Sequence, residues 1–112
     1  MSDQWSTHVQ ELRRGTVVLA ALLALREPEY GYALIDRLHG VGLDIEANTL
    51  YPLLRRLESQ GLLTSSWNTE DTRPRKFYTT SPSGSDLAAT LLEEWHSLSD
   101  SLSALTTEPE GS

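Results

Sequence analysis

A row of large apolar side chains near the C-terminus constrains the fold of this chain more than any other feature. Its members are separated by four, four, three, four and three positions, the spacing of one helix face: Leu87, Leu91, Trp95, Leu98, Leu102 and Leu105. Ser81 followed by Pro82 marks the start of that helix. From Pro82 to Leu105 the helix is about 36 Å long, at about 1.5 Å per residue. One domain of 112 residues is too small to cover it, so we predict that Leu87, Leu91, Trp95, Leu98 and Leu102 form a homodimer interface.

Three shorter helices are predicted before this apolar row. The first covers residues 7 or 8 to 26 and ends before Pro28, and the second covers residues 30–40. The third covers residues 46–60, with Gly61 as its C-terminal cap. Two glycines between the second and third helices, Gly40 and Gly42, predict a tight turn.

The third helix has one apolar and one polar face. Its leucines recur at positions i, i+3, i+4 and i+7 and predict the buried side: Leu50, Leu53, Leu54 and Leu57. The other side carries Pro52 together with polar and basic side chains: Asn48, Thr49, Tyr51, Arg55, Arg56 and Ser59. Pro52 costs little if it lies near the first turn and removes one backbone bond if the helix starts earlier.

Two strands follow the third helix. Residues 62–67 and 75–80 alternate in polarity, and the polar segment 68–74 between them predicts a hairpin loop. The order of helices, hairpin and long helix predicts a mainly α fold with a small β-hairpin, a winged helix-turn-helix with a long C-terminal dimerisation helix. We therefore predict a DNA-binding domain over residues 1–80, a dimerisation helix over residues 81–106 and a frayed tail over residues 107–112.

The charge of the chain is unevenly distributed. The net charge is −7, yet residues 55–76 carry five basic and three acidic side chains, whereas residues 77–112 carry six acidic and no basic ones. The local field rather than the total charge steers a surface toward phosphate groups. The basic segment therefore predicts where double-stranded DNA binds.

The motifs of the third helix and hairpin strengthen this prediction. The stretch NTLYPLLRRLESQGLL, followed by RPRKFYTTSPSG, resembles the PadR family of transcriptional regulators, as do LRRGTVVLAALLAL and YGYALIDRL earlier in the chain. The resemblance covers roughly residues 9–105 and matches the short subgroup with a single C-terminal helix. It implies a winged-helix homodimer that represses transcription and is released by small molecules.

The resemblance also gives Trp95 a function. In multidrug-binding members of the family, a tryptophan at the matching place stacks flat aromatic ligands at the centre of the dimer. The resemblance therefore implies that Trp95 binds a small aromatic effector. The alternative is that the two indoles of a dimer pack on each other or on the leucines and leave no space.

The predicted DNA-binding residues lie on the third helix and on the hairpin: Asn48, Thr49, Tyr51, Arg55, Arg56, Arg73, Arg75 and Lys76. The polar helix face could instead be solvated surface, with Arg55 and Arg56 paired to nearby glutamates. The hairpin cations could instead protect a sheet edge against pairing. A helix placed between a turn and a basic hairpin favours DNA, because such a helix presents polar groups to base edges.

Other kinds of function have little support in the sequence. Cysteine is absent, and the histidines, His8, His39 and His96, lack companions at metal-ligand spacing, so we expect no metal and no cofactor. Glu93 and Glu94 point about 100° apart on a helix and make a poor catalytic pair, so we expect no catalytic residues and no enzyme.

We also expect a cytoplasmic protein with no membrane partner. The N-terminus has no signal-peptide pattern, and the longest apolar stretch, residues 16–25, is too short to span a bilayer. A second hypothesis for the function is a winged-helix module that uses the same fold to bind another protein without specific DNA binding.

Overall fold

Five α-helices and three short strands make up the part of the chain that the computed structural model describes, residues 2–70 and 72–107. In chain order they are α1 (Asp3–Arg14), α2 (Thr16–Ala24), β1 (Glu29–Tyr30), α3 (Gly31–Gly40), α4 (Ala47–Ser59), β2 (Leu63–Asn68), β3 (Arg75–Thr80) and α5 (Pro82–Thr106). The predicted mainly helical winged fold is confirmed. Most of the predicted tail lies outside the described residues, from residue 108 onward.

The prediction of one continuous first helix is wrong, because there are two helices that meet at Gly15. Glycine has low helix propensity, and the hydroxyl of Thr16 donates to the carbonyl oxygen of Arg13 at 2.7 Å, a contact that competes with the helical ladder. The first of the two helices also starts earlier than predicted, since Ser2 caps it by accepting from the amide of Trp5. No residue of α1 is buried, whereas α2 lies in the core.

The sheet has one strand more than the predicted hairpin. Strands β2 and β3 pair antiparallel as expected, and β1 adds to the free edge of β3, so that the order is β1-β3-β2. In this register Tyr30 lies opposite Phe77. A strand of two residues shows no alternation of polarity, which is why the pattern alone did not reveal it.

The core is built from leucines that the helices and the sheet bring together. All four leucines predicted for the buried face of α4 are buried. They pack with Leu22 and Leu25 after the break in the first helix, Leu34 of α3 and Leu63 of β2, all of which are fully buried. Burial of a leucine stabilises a fold by about 1.5–3 kcal/mol, so this cluster supplies the main driving force for folding.

The last residue of β3 and the residue that caps α5 are bonded to two other elements. The amide of Thr80 donates to the carbonyl oxygen of Leu25 at 2.8 Å, and its hydroxyl donates to that of Leu22 at 2.7 Å. The amide of Ser81 donates to the carbonyl oxygen of Leu62 at 3.1 Å, and its hydroxyl donates to that of Gly61 at 2.6 Å. This junction joins the C-terminal ends of α2 and α4 to the start of α5.

The first turn of α5 lies directly on the chain that follows α4. Ser81 is the predicted N-cap, and its hydroxyl accepts from the amide of Gly84 at 3.0 Å. A Cβ atom on Gly84 would overlap the carbonyl oxygen of Leu62, which is backbone and cannot turn away. Glycine is therefore required here by the close approach of two backbones.

Beyond its first three turns, α5 leaves the core. Leu87 and Leu91 are half-buried against the core, whereas Trp95, Leu98 and Leu102 are 46%, 61% and 57% exposed. The radius of gyration is 17.3 Å, compared with about 13 Å for a compact domain of this length. The described helices include none that is long and apolar enough to cross a membrane.

We predict that Gly84→Ala destabilises the chain by about 1–3 kcal/mol, because the added methyl group must displace the Leu62 carbonyl or tilt α5. This corresponds to a melting temperature lower by roughly 5–15 °C, measured by circular dichroism. Gly40→Ala is the matched control, because nothing lies within 4 Å of a Cβ there and its φ is not positive. The control should be neutral or slightly more stable, and equal melting temperatures for the two variants would contradict the prediction.

Candidate nucleic-acid interface

Helices α3 and α4 form a helix-turn-helix whose turn is set by glycine. Gly42 has φ +87°, and its amide and the amide of Leu43 donate to the carbonyl oxygens of His39 and Leu38. This is the Schellman pattern, in which a left-handed residue satisfies the last carbonyls of a helix. Gly61 ends α4 in the same way, with φ +76°, so the predicted cap is confirmed. The cap at Gly42 fixes where α3 stops, and the cap at Gly61 fixes where α4 stops.

The polar side of α4 is exposed along most of its length. Asn48, Thr49, Arg55 and Arg56 are exposed, and Tyr51 is half-buried. Pro52 lies in the second turn of the helix, since Glu46 is the N-cap residue and Ala47 the first helical one. Proline has no amide proton, so the carbonyl oxygen of Asn48 lacks its helical donor and stays available on the outer face.

The side chains of α4 point in three directions from this face. Tyr51 lies against the start of α3, where a Cβ atom on Gly31 would overlap its ring. Arg56 and Thr49 line a groove of about 930 Å³ that α1 closes on its other side with Arg13. Arg55 lies between these two directions and points away from the domain, since successive residues are about 100° apart.

The hairpin brings Arg75 onto an aromatic cluster that joins it to α3. The guanidinium of Arg75 donates to the Tyr32 hydroxyl at 2.6 Å and lies 4.8 Å from the ring centroid of Tyr30. The rings of Tyr30 and Tyr32 are parallel, with centroids 5.8 Å apart. The side-chain amide of Asn68 donates from Nδ2 to the Tyr30 hydroxyl at 2.7 Å. The base of the hairpin is thereby attached to the start of α3.

Lys76 lies on the opposite face of the strand and is bonded to α4. Its ammonium donates to Oε1 of Glu58 at 2.9 Å, and the hydroxyl of Ser65 donates to Oε2 of the same carboxylate. The donation from Ser65, followed by that from Lys76, lowers the pKa of Glu58, and acceptance by Glu58 raises the pKa of Lys76. Both groups are therefore charged at neutral pH, and the lysine charge is largely neutralised within the domain.

Three of the predicted cations differ from Lys76 in having no internal partner. Within residues 2–70 and 72–107, the side chains of Arg55, Arg56 and Arg73 form no hydrogen bond or ion pair, and all three residues are exposed. The alternative in which Arg55 and Arg56 pair with nearby glutamates is not seen, since Glu58 is bonded to Lys76. The structure thus joins the base of the hairpin to the start of α3 through Arg75 and to α4 through Lys76.

Sequence reasoning missed Tyr30, Tyr32 and Asn68. The two tyrosines flank Gly31 at the predicted start of the second helix, and they were assigned no function. Their spacing alone cannot indicate the contact with Arg75, because this arginine is 43 positions away from Tyr32 in the sequence. The available signal was the combination of a Tyr-Gly-Tyr helix start with a basic strand.

The distal half of α5 forms a second exposed surface. The indole of Trp95 contacts only its neighbour His96 among the described aromatic rings, edge to face with centroids 5.3 Å apart. The described part of the chain holds no group of three or more acidic or histidine side chains arranged to bind a metal.

Comparison with known proteins gives a consistent result. A family model described as the transcriptional regulator PadR-like family matches residues 18–90. Transcriptional regulator Rv3488 of Mycobacterium tuberculosis is 36% identical over 77 residues, which are 68% of this chain and 72% of that protein. A PadR family transcriptional regulator from Eggerthella lenta has a crystal structure with a TM-score of 0.90 and 50% identity, covering 96% of both chains. A transcriptional regulator from Clostridium thermocellum has a TM-score of 0.76 and 29% identity, covering 87% of this chain and 99% of that one.

Proposed function

The chain belongs to the PadR-like family of transcriptional regulators, and from this premise we propose that it is a ligand-responsive repressor that binds a pseudo-palindromic operator as a homodimer. The observation that carries the proposal is the exposed polar side of α4, with Arg55 unpaired among the described residues, beside a hairpin loop that carries Arg73. A regulator of this family binds DNA, and this surface has the groups that DNA binding requires.

Each part of the surface suits a different part of a DNA duplex. Helix α4 has the size and polarity to enter the major groove, where Asn48 and Thr49 near its start can bond to base edges. Arg55 and Arg73 are free to reach phosphates on either side of that groove. Lys76 contributes less, because its charge is already bound by Glu58. The net charge of −7 does not prevent this, since exposed charges are screened within about 8 Å at physiological ionic strength.

Homodimerisation is supported by apolar surface that one chain leaves uncovered. Leu98 and Leu102 are more than half exposed on α5, and so are Trp5 and Leu12 on α1. A helix of twelve residues with no buried side chain is marginal by itself, so α1 needs a partner to be stable. Pairing of α5 with α5 and α1 of a second chain covers both surfaces. A two-fold dimer then presents two α4 helices to half-sites about 34–36 Å apart.

The effector site is proposed at Trp95, which is 46% exposed and so has a stacking face to offer. Aromatic stacking adds about 0.5–1.5 kcal/mol beyond the burial of area. A ligand that binds more tightly to a dimer with altered α4 spacing lowers the affinity for DNA by linkage. The nearby side chains of α5 favour a cationic ligand: Asp86, Glu93, Glu94 and Asp100.

We predict that Arg55→Ala weakens DNA binding by roughly 5- to 100-fold, and that Arg73→Ala lowers the slope of log affinity against log salt by about one. The measurement is fluorescence anisotropy with upstream DNA of the gene over a range of salt concentrations. Arg26→Ala is the matched control, because Arg26 lies away from the hairpin loop. It follows Leu25, whose carbonyl oxygen accepts from Thr80 at the other end of β3. If all three variants bind alike, the surface is only solvated and the protein-interaction module takes its place.

We predict that the chain is a dimer at micromolar concentration and that Leu98→Gln combined with Leu102→Gln makes it a monomer. Glutamine keeps the helix propensity but removes the apolar contact surface. Light scattering gives the mass directly. Ser103→Gln is the control, since it lies about 100° round the helix from Leu102. A monomeric wild-type chain would reject the dimer and the operator geometry together.

We predict that planar cationic dyes quench the fluorescence of Trp95 in a variant with Trp5→Phe and Trp67→Phe. The two substitutions leave one indole and keep an aromatic ring at each of the other sites. Dye affinity should fall when Trp95→Ala is introduced into the otherwise native chain. The effector site is rejected by either of two results: no quenching at saturating dye, or unchanged dye affinity without the indole.

A further inference from the structure

We infer that the Tyr32 hydroxyl, held by Arg75, is a contact for a phosphate of the DNA backbone where the backbone crosses between α4 and the hairpin. The inference rests on the proposed function and assigns a residue that carries no charge and lies on neither of these two elements. It names the sugar-phosphate backbone, rather than a base, as the group that Tyr32 recognises.

The first observation that supports the inference is the position of Tyr32. It is the second residue of α3 and is 50% exposed. Gly31, just before it, is covered by the ring of Tyr51 from α4. Arg75, the first residue of β3, donates to its hydroxyl. Tyr32 therefore lies between the helix proposed to enter the groove and the hairpin that flanks it.

The geometry of the cluster supports it next, because the hydroxyl is held in place. The ring of Tyr32 is stacked parallel to that of Tyr30, within 1°. The Tyr30 ring is in turn fixed by Asn68, which donates to its hydroxyl, and by Phe77, which packs against it edge to face. Groups held in this way lose little conformational entropy when a ligand binds, so less of the binding free energy is spent on ordering them.

The chemistry of the pair fits a phosphate. A phenol that accepts a hydrogen bond from a guanidinium still has its own proton to donate. A hydrogen bond from this hydroxyl to an ionised acceptor such as a phosphate is stronger than one to a neutral acceptor. In a helix-turn-helix the first helix crosses the backbone while the second reads the bases, and here the first helix is α3.

The neutral phenol separates this contact from those of the arginines. A cation on a phosphate releases counterions and so contributes to the salt dependence of binding, whereas a phenol does not. Loss of the Tyr32 hydroxyl should therefore weaken binding by roughly three- to tenfold at every salt concentration, with an unchanged slope.

The test uses a short duplex that the wild-type chain selects from a random-sequence library. Anisotropy titrations compare wild type, Tyr32→Phe and Tyr30→Phe. The Tyr30 variant is a matched control, since it loses the same atom two residues away but from a hydroxyl that is bonded inward to Asn68. We expect it to lower the melting temperature without the loss of affinity seen for Tyr32→Phe.

A second measurement identifies the atom on the DNA. In a series of duplexes, each phosphate is replaced in turn by an uncharged methylphosphonate. Wild type should lose affinity at one position in each half-site where Tyr32→Phe loses nothing further, which is the mark of a direct pair in a double-mutant cycle.

The outcomes distinguish the inference from the function on which it rests. The inference alone is overturned if Tyr32→Phe loses as much affinity as wild type at every methylphosphonate position. It is also overturned if the variant keeps wild-type affinity but has a lower melting temperature, because the hydroxyl is then purely structural. A parallel drop in the salt slope overturns it as well, because the effect would then come through Arg75. If the wild-type chain selects no duplex, the proposed function fails and the inference fails with it.

Discussion

The arrangement of the whole molecule depends on the hydrogen bonds made by two consecutive residues, Thr80 and Ser81. Four bonds of 2.6–3.1 Å join them to carbonyl oxygens at the ends of α2 and α4. Carbonyls at helix ends have no helical donor, so these bonds satisfy groups that would otherwise need water. The same residues end the sheet and cap α5. The directions of the sheet, of α4 and of the long helix are therefore set at one place.

The division of charge follows from this arrangement. Arg55, Arg56 and Arg73 lie on the domain and have no internal partner among the described residues, whereas the charged side chains of the described α5 are all acidic. Lys76 belongs to the basic segment of the sequence but holds the hairpin against α4 through Glu58. Of two adjacent cations, one thus stabilises the fold and the other, Arg75, faces the aromatic cluster. Fewer cations are therefore left for the proposed anionic partner than the count of basic residues suggests.

Most of the fold could be predicted from local patterns. The leucines of α4, the cap at Ser81 and the hairpin follow from periodicity and helix-end chemistry, and the structure confirms them. The strand at Tyr30 could not be predicted, because two residues form a strand only through their pairing with β3. The break at Gly15 could not be predicted either, because a single glycine inside an apolar helical pattern is usually tolerated. The candidate site was predicted as a region only. Arg75 and Lys76 are neighbours in sequence, but alternate residues of a strand face opposite ways, so their different partners depend on the register of the sheet.

Gly84 near the start of α5 and Gly15 at the end of α1 differ in how tightly their surroundings are packed. Gly84 has another backbone pressed against it, so α5 cannot tilt on the domain without moving α4 and the sheet as well. Gly15 has open space around it, and α1 has no buried side chain, so its link to the turn at Gly42 is a single bond from Arg13. The base of α5 is thus packed tightly against the domain, whereas α1 is attached to it weakly. A displacement of the far end of α5 therefore also moves α4, whereas α1 is held loosely enough to move with it.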